Sequence, residues 1–134
     1  MPRFYRLLRV VRLLRLLKIT RSLNYIFTLL NLDVGVGKLV NVLVAVTFIV
    51  HMVSCGWYWI NETNDFEPTG WVARQGLLQV DLQFRYISAV YWTFQTLTTV
   101  GYGDIPAVTL YEKVFATLWM IGGFGFYSYT IGSL

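Results

Sequence analysis

Two stretches without a single Asp, Glu, Lys or Arg, Leu39 to Ile60 and Val114 to Leu134, decide most of what this 134-residue chain can fold into. Each has about the 20 residues that a helix needs to cross a bilayer. Hydrocarbon offers no water to satisfy backbone N–H and C=O groups, so a spanning segment must bond them within itself. The chain has the length of one soluble domain, but 56% of its residues are hydrophobic, which places it among membrane proteins. An all-α membrane protein is predicted.

Between the two stretches lies Thr98-Thr99-Val100-Gly101-Tyr102-Gly103-Asp104. A dehydrated potassium ion needs several oxygen ligands to replace its water shell. Backbone carbonyls of Thr99, Val100, Gly101 and Tyr102, with the Thr99 hydroxyl, supply them if all point to one axis. Aiming successive carbonyls the same way requires unusual backbone angles, which Gly101 and Gly103 adopt without a Cβ clash. One chain gives one quarter of each oxygen ring, so the motif predicts a tetramer, either of identical subunits or mixed. A bare Gly-Tyr-Gly occurs in ordinary turns. The whole string between two membrane-grade segments is far more specific, and Thr99–Gly103 reads as the TVGYG signature of potassium-channel filters. K⁺ is expected at the filter carbonyls as the permeant ion, with no other metal and no cofactor.

Tyr86 to Leu97, just before the filter, is uncharged and aromatic but only about 12 residues long. It is predicted to be re-entrant, entering from outside and stopping midway. Its C-terminal end would then face the bilayer centre, where the partial negative charge of the helix dipole favours a cation.

The basic residues are not spread evenly. Seven of eleven precede Ser22, at Arg3, Arg6, Arg9, Arg12, Arg15, Lys18 and Arg21, and the first acid is Asp33. A secretory signal needs an unbroken apolar core, and these charges break every apolar run after two residues. A surface-lying helix needs one polar face. A cation at every third residue instead spirals around an α-helix, whereas in a 3₁₀ helix it forms one stripe. A charged helix that moves past counter-charges inside a protein fits either geometry, and such a helix is a voltage sensor. An Arg-rich mitochondrial presequence and a static basic helix are the competing readings. Nucleic acid is not an expected partner, because no solvated basic domain follows Arg21.

Residues 22–37 then read as a half-buried connector helix broken by Gly35 and Gly37. The pore domain is predicted over 38–134: outer helix 38–60, turret 61–85, pore helix 86–97, filter 98–104 and inner helix 111–134. Trp57-Tyr58-Trp59 suits the far membrane interface. The turret is polar and irregular, and Asn61-Glu62-Thr63 is a glycosylation sequon that is usable if this loop faces outside. Cys55, the only cysteine, permits no intrachain disulfide and reads as a packed thiol. His51, the only histidine, reads as a packing or hydrogen-bonding group within the bundle, since further metal ligands are missing around it. No nucleophile–base pair or phosphate loop is present in the sequence, so an enzyme is not expected.

These residues resemble the end of the transmembrane region of tetrameric potassium channels, from the voltage-sensing fourth helix into the sixth. The closest likeness is to the ether-à-go-go and plant inward-rectifier branch. His51 with Cys55 and Trp57, Gly70-Trp71, and Tyr86-Ile87-Ser88-Ala89-Val90-Tyr91-Trp92 carry it. The resemblance implies that Tyr91 and Trp92 form an aromatic cuff behind the filter, partnered by Asp104 and Tyr102. Thr98 and Asp104 complete the expected filter supports. The competing reading has the two aromatics merely anchoring the half-helix in lipid or core.

The chain departs from that family in lacking the first three sensor helices, the end of the last helix and a cytoplasmic nucleotide-binding domain. It is expected to be a fragment, the resolved part of a longer channel, or a reduced descendant. Gly122, Gly123 and Gly125 read equally as a hinge or as close helix contacts. Two functions follow: a potassium-selective, voltage-sensing pore subunit, or a non-conducting, channel-derived structural subunit of a larger membrane complex. The expected surroundings are membrane lipid and other membrane subunits, in the plasma membrane or in an organelle membrane such as the mitochondrial inner membrane.

Overall fold

The computed structural model describes residues 34–64, 66 and 68–133. Among them all regular structure is helical. Helix α1 spans Val34–Thr63 and α2 is a single turn, Trp71–Arg74. A 3₁₀ turn at Leu77–Gln79 leads to α3, Leu82–Leu97, and α4 spans Leu110–Ser133. The basic segment from Arg3 to Arg21 and most of the predicted connector lie outside the described residues.

At 1.5 Å per residue, α1 is about 45 Å long and α4 about 36 Å, enough to cross a hydrocarbon core of about 30 Å. Helix α3, with 16 residues, reaches only about 24 Å and stops short of crossing. Two long apolar helices flanking one short helix is therefore the architecture the hydropathy pattern predicts.

The boundaries differ from expectation in informative places. Helix α1 begins before residue 38, and Gly35 and Gly37 are helical and not breaks. A glycine costs a helix only about 1 kcal/mol, which an apolar neighbourhood with no proline overrides. At its other end α1 continues to Thr63. The Thr63 hydroxyl donates to the carbonyls of Trp59 and Ile60, and Asn64 Nδ2 donates to that of Ile60, satisfying acceptors that a helix C-terminus leaves open. Helix α3 starts four residues earlier than predicted, at Leu82, where the Asp81 carbonyl accepts the amides of Phe84 at 3.0 Å and Arg85 at 3.4 Å.

The turret is more ordered than its composition suggests. The Arg85 guanidinium donates to the carbonyls of Leu77 at 2.8 Å, Val80 at 3.1 Å and Leu78 at 2.6 Å. It also lies 5.8 Å from the centre of the Phe66 ring. Gly76, at φ 67°, makes the left-handed turn between α2 and the 3₁₀ segment.

The chain divides into two units, 1–45 with 134, and 46–133. The second holds a core of Trp57, Trp71, Val72, Ala89, Trp92, Ile105 and Ala116. Trp57 is its centre. It stacks on Trp92 at 3.8 Å with 4° between the planes, and on Trp71 at 6.0 Å. Such pairs contribute about 0.5–1.5 kcal/mol beyond their buried area. This corrects the reading of Trp57-Tyr58-Trp59 as one interfacial cluster: helical rotation turns Trp57 fully into the core and leaves Trp59 exposed. Gly56 allows the close approach of α4, since a Cβ there would stand 2.9 Å from Phe115 Cζ.

His51 and Cys55 share one side of α1. Tyr86 Oη lies 2.7 Å from His51 Nδ1, and Cys55 Sγ lies 3.8 Å from Nε2. Deeper in the core, the buried Ser54 hydroxyl donates to the Val50 carbonyl and to Thr93 Oγ1, tying α1 to α3.

Candidate ion-conduction site

Helix α3 ends at Leu97, and its last residues are organised to receive the strand that follows. The Thr98 amide and hydroxyl both donate to the Phe94 carbonyl at 2.9 Å, and the Thr99 amide donates to the Thr96 carbonyl at 3.2 Å. From there the chain runs on through Gly103 without helix or sheet structure.

Gln95 holds that segment. Its backbone carbonyl accepts the Val100 amide at 3.0 Å and the Gly101 amide at 3.3 Å. Its side-chain oxygen accepts the Tyr102 amide at 3.1 Å. Three consecutive amides thus point toward one residue. Because a trans peptide sets N–H and C=O on opposite sides, the carbonyls of Thr99, Val100 and Gly101 face the other way. The backbone angles match this requirement. Thr99, Gly101 and Gly103 have φ of 61°, 57° and 76°, while Val100 and Tyr102 do not have positive φ. Alternating hand along an extended strand turns every carbonyl to the same side, where a fully extended strand would alternate them. Gly101 and Gly103 carry this at little cost, as the sequence predicts. Thr99 does not: a β-branched residue at positive φ is strained, and its position after the helix cap holds it there.

Asp104 closes the strand. Gln95 Nε2 donates to its Oδ1 at 2.9 Å, and the Ile105 amide to the same oxygen at 3.1 Å. The Gln95 bond most of all, then the Tyr91 hydroxyl and the backbone amides of Asp104 and Ile105, hold this carboxyl below the usual carboxylate range, against a smaller opposing effect of desolvation. Trp92, one residue after Tyr91 and about 100° around the helix, stacks on Trp57 in the intrachain core. The turret also reaches this end: Gln75 Nε2 donates to the Asp104 carbonyl at 2.7 Å, and Arg74 Nη1 lies 3.5 Å from the Pro106 carbonyl.

Two residues central to this geometry are not singled out by sequence reading. Gln95 is buried at 6% exposure, and its only sequence signal is an amide within an aromatic, hydroxyl-rich helix nine residues before an acid. Glu112 was legible only as a helix-start charge. It is in fact fully buried and forms a reciprocal cap with Thr109, whose amide donates to Glu112 Oε2 while the Glu112 amide donates to Thr109 Oγ1.

The sequon reading is corrected. Asn61 lies within α1 at 3% exposure, and its amide nitrogen, the atom a glycan would occupy, donates to Glu112 at 2.9 Å. The folded chain does not present it for modification. Helix α4 runs unbroken through Gly122, Gly123 and Gly125. Among the described residues only Gly123 of the three approaches another element, with its Cβ position 3.5 Å from Leu97 Cδ1, while Gly122 and Gly125 have nothing within 4 Å.

The strand side chains and the neighbouring helix faces are open in the single chain. Tyr102 is 73% exposed and Val100 53%, and Phe94 of α3 and Leu118 and Ile121 of α4 are exposed as well.

Comparison with known proteins agrees with this geometry. The family model for ion transport proteins matches residues 1–134. Potassium channel AKT1 of Arabidopsis thaliana is 35% identical over 136 aligned residues, covering 100% of this chain and 15% of that protein. Potassium channel AKT2/3 of the same plant is 33% identical over 119 residues, covering 85% of this chain and 15% of its own length. Potassium channel KAT4 of Oryza sativa subsp. japonica is 30% identical over 134 residues, or 98% of this chain and 21% of that protein. The chain thus spans about one seventh to one fifth of the length of these curated relatives. With two helices long enough to cross a bilayer and a matched span that covers every residue, this integral membrane chain belongs to the ion transport protein family.

Proposed function

We propose that this chain is the pore-forming part of a potassium-selective, voltage-sensing channel subunit, one of four that surround a common axis. The carrying observation is the set of three consecutive amides, Val100, Gly101 and Tyr102, bonded to Gln95, which leaves their partner carbonyls facing away from the helix. Four such strands would supply rings of oxygens that replace the hydration shell of K⁺. The relatives reported above are named as potassium channels, which supports K⁺ as the transported ion. The exposed apolar residues Phe94, Leu118 and Ile121 on α3 and α4 offer the neighbouring subunits and lipid their contacts. The cations Arg3 to Arg21 act as gating charges in this reading, supported by their unbroken three-residue spacing. In this reading bending of the inner helix falls at Gly122, Gly123 and Gly125, and the plasma membrane is the site of action.

Recording from the full-length channel that contains this chain tests the proposal. A reversal potential that follows the K⁺ gradient and ignores Na⁺ is expected. Gln substitutions from Arg6 to Arg15 should reduce the charge moved on gating. A channel at the surface that passes Na⁺ as readily as K⁺, or no current at all, would overturn the reading.

A further inference from the structure

We propose that Glu112 is a positioning residue for the outer end of the strand Thr99–Gly103, an inference that rests on the pore reading above. Its carboxylate is fully buried and is met by four N–H donors, none of them a charged side chain. Oε1 accepts from Asn61 Nδ2 at 2.9 Å and from the Trp71 amide at 2.8 Å. Oε2 accepts from the amides of Val108 at 2.9 Å and Thr109 at 3.2 Å.

Helix capping explains only part of this. The reciprocal bond with Thr109 would serve equally on an exposed glutamate. Burying a carboxylate is costly unless its hydrogen bonds are satisfied, and a neutral cap avoids that cost. The Oε1 contacts reach two other elements, the last turn of α1 and the first residue of α2. Glu112 therefore fixes three elements at one point.

Both routes from that point lead to the segment leaving the strand. Directly, Oε2 holds Val108 and Thr109. Indirectly, Oε1 holds the start of α2, and one turn later Gln75 donates to the Asp104 carbonyl and Arg74 approaches that of Pro106. Ile105, between them, is buried in the core. Residues 104–109 are thus gripped at both ends through one carboxylate. Displacing it loosens one of the holds on Asp104, the Gln75 bond to its carbonyl, while the Gln95 bond to its carboxylate remains, and so weakens the support of the last ring of carbonyls. Those carbonyls repel one another, and K⁺ binds only the ordered arrangement, so external K⁺ opposes disorder by mass action.

Glu112→Gln isolates the effect, because an amide keeps one acceptor oxygen and must turn its NH₂ toward one pair of donors. In the full-length channel, with surface abundance measured, current during sustained opening should decay about tenfold faster than wild type in low external K⁺, as expected for losing bonds to a charged acceptor. High external K⁺ should slow the decay toward the wild-type rate, which a merely structural defect would not show. Gln75→Ala, which removes an exposed side chain, should give a smaller effect of the same kind. If E112Q does not reach the surface, Q75A decides alone: decay slowed by K⁺ supports the route, and wild-type behaviour overturns it. A conducting wild type with both variants indistinguishable from it, or with decay indifferent to K⁺, overturns the positioning role while leaving the pore reading intact. A silent wild type at normal surface abundance overturns both.

Discussion

The Gln95 side chain joins the Asp104 carboxylate to the strand between them, donating to Oδ1 at 2.9 Å while its own oxygen accepts the Tyr102 amide at 3.1 Å. One neutral amide therefore satisfies an acceptor and a donor at once, tying the two ends of the segment together.

Replacing Gln95 should accordingly loosen the strand without unfolding the chain. Gln95→Ala leaves the Tyr102 amide without its acceptor, a loss of about 1–3 kcal/mol, and should lower the K⁺ over Na⁺ permeability ratio about tenfold or more. Gln95→Glu should be worse at neutral pH, since two carboxylates would face each other and one must be pushed upward in pKa. Acidification should restore that variant, because the proton regained lies between them. Selectivity unchanged in both variants would remove Gln95 from the filter machinery.

The wild-type chain should respond to acid in the opposite sense. A carboxyl whose folded pKa is depressed contributes stability above its unfolded value of about 3.9, and loses it as pH falls through the lower folded value. Asp104 is such a group, held down first by Gln95. Lowering external pH from about 7 to about 5 should therefore leave selectivity unchanged, with any loss from this site confined to pH below about 4. Reversal potentials across a pH series make the check. Selectivity lost near pH 6 would place the sensitivity elsewhere.

Gly101→Ala should abolish potassium conduction for a conformational reason. The glycine has φ of 57°, yet a Cβ there would meet nothing within 4 Å among the described residues. The penalty is thus the left-handed backbone itself, about 1–2 kcal/mol per chain. Single-channel recording would show an intact conductance if the strand tolerates the change, and the assignment would fall.

Gly56 offers a test of the core that does not touch the strand. A Cβ at 56 would stand 2.9 Å from Phe115 Cζ, so Gly56→Ala should cost about 1–3 kcal/mol through overpacking. Phe115→Leu should rescue it by clearing the contact. Thermal denaturation of the detergent-solubilised channel would reveal the compensation as a positive interaction in the double mutant. Strictly additive losses would mean that α1 and α4 do not meet there.

Much of this protein is local information. The two spanning helices follow from uncharged runs, the short helix from its length, and the strand from glycines at alternate positions, because backbone and solvent requirements act on neighbouring residues. What the tertiary structure decided acts across large separations. Glu112 finds Asn61 and Trp71, 51 and 41 residues away, and only that meeting turns a sequon asparagine into a buried donor. Of two adjacent aromatics, rotation by one helical step leaves Tyr91 exposed and sends Trp92 to the face of Trp57. Neither hydropathy nor spacing separates such neighbours. Which face a side chain takes is set by the partner it packs against, and that partner is known only once the helices have come together.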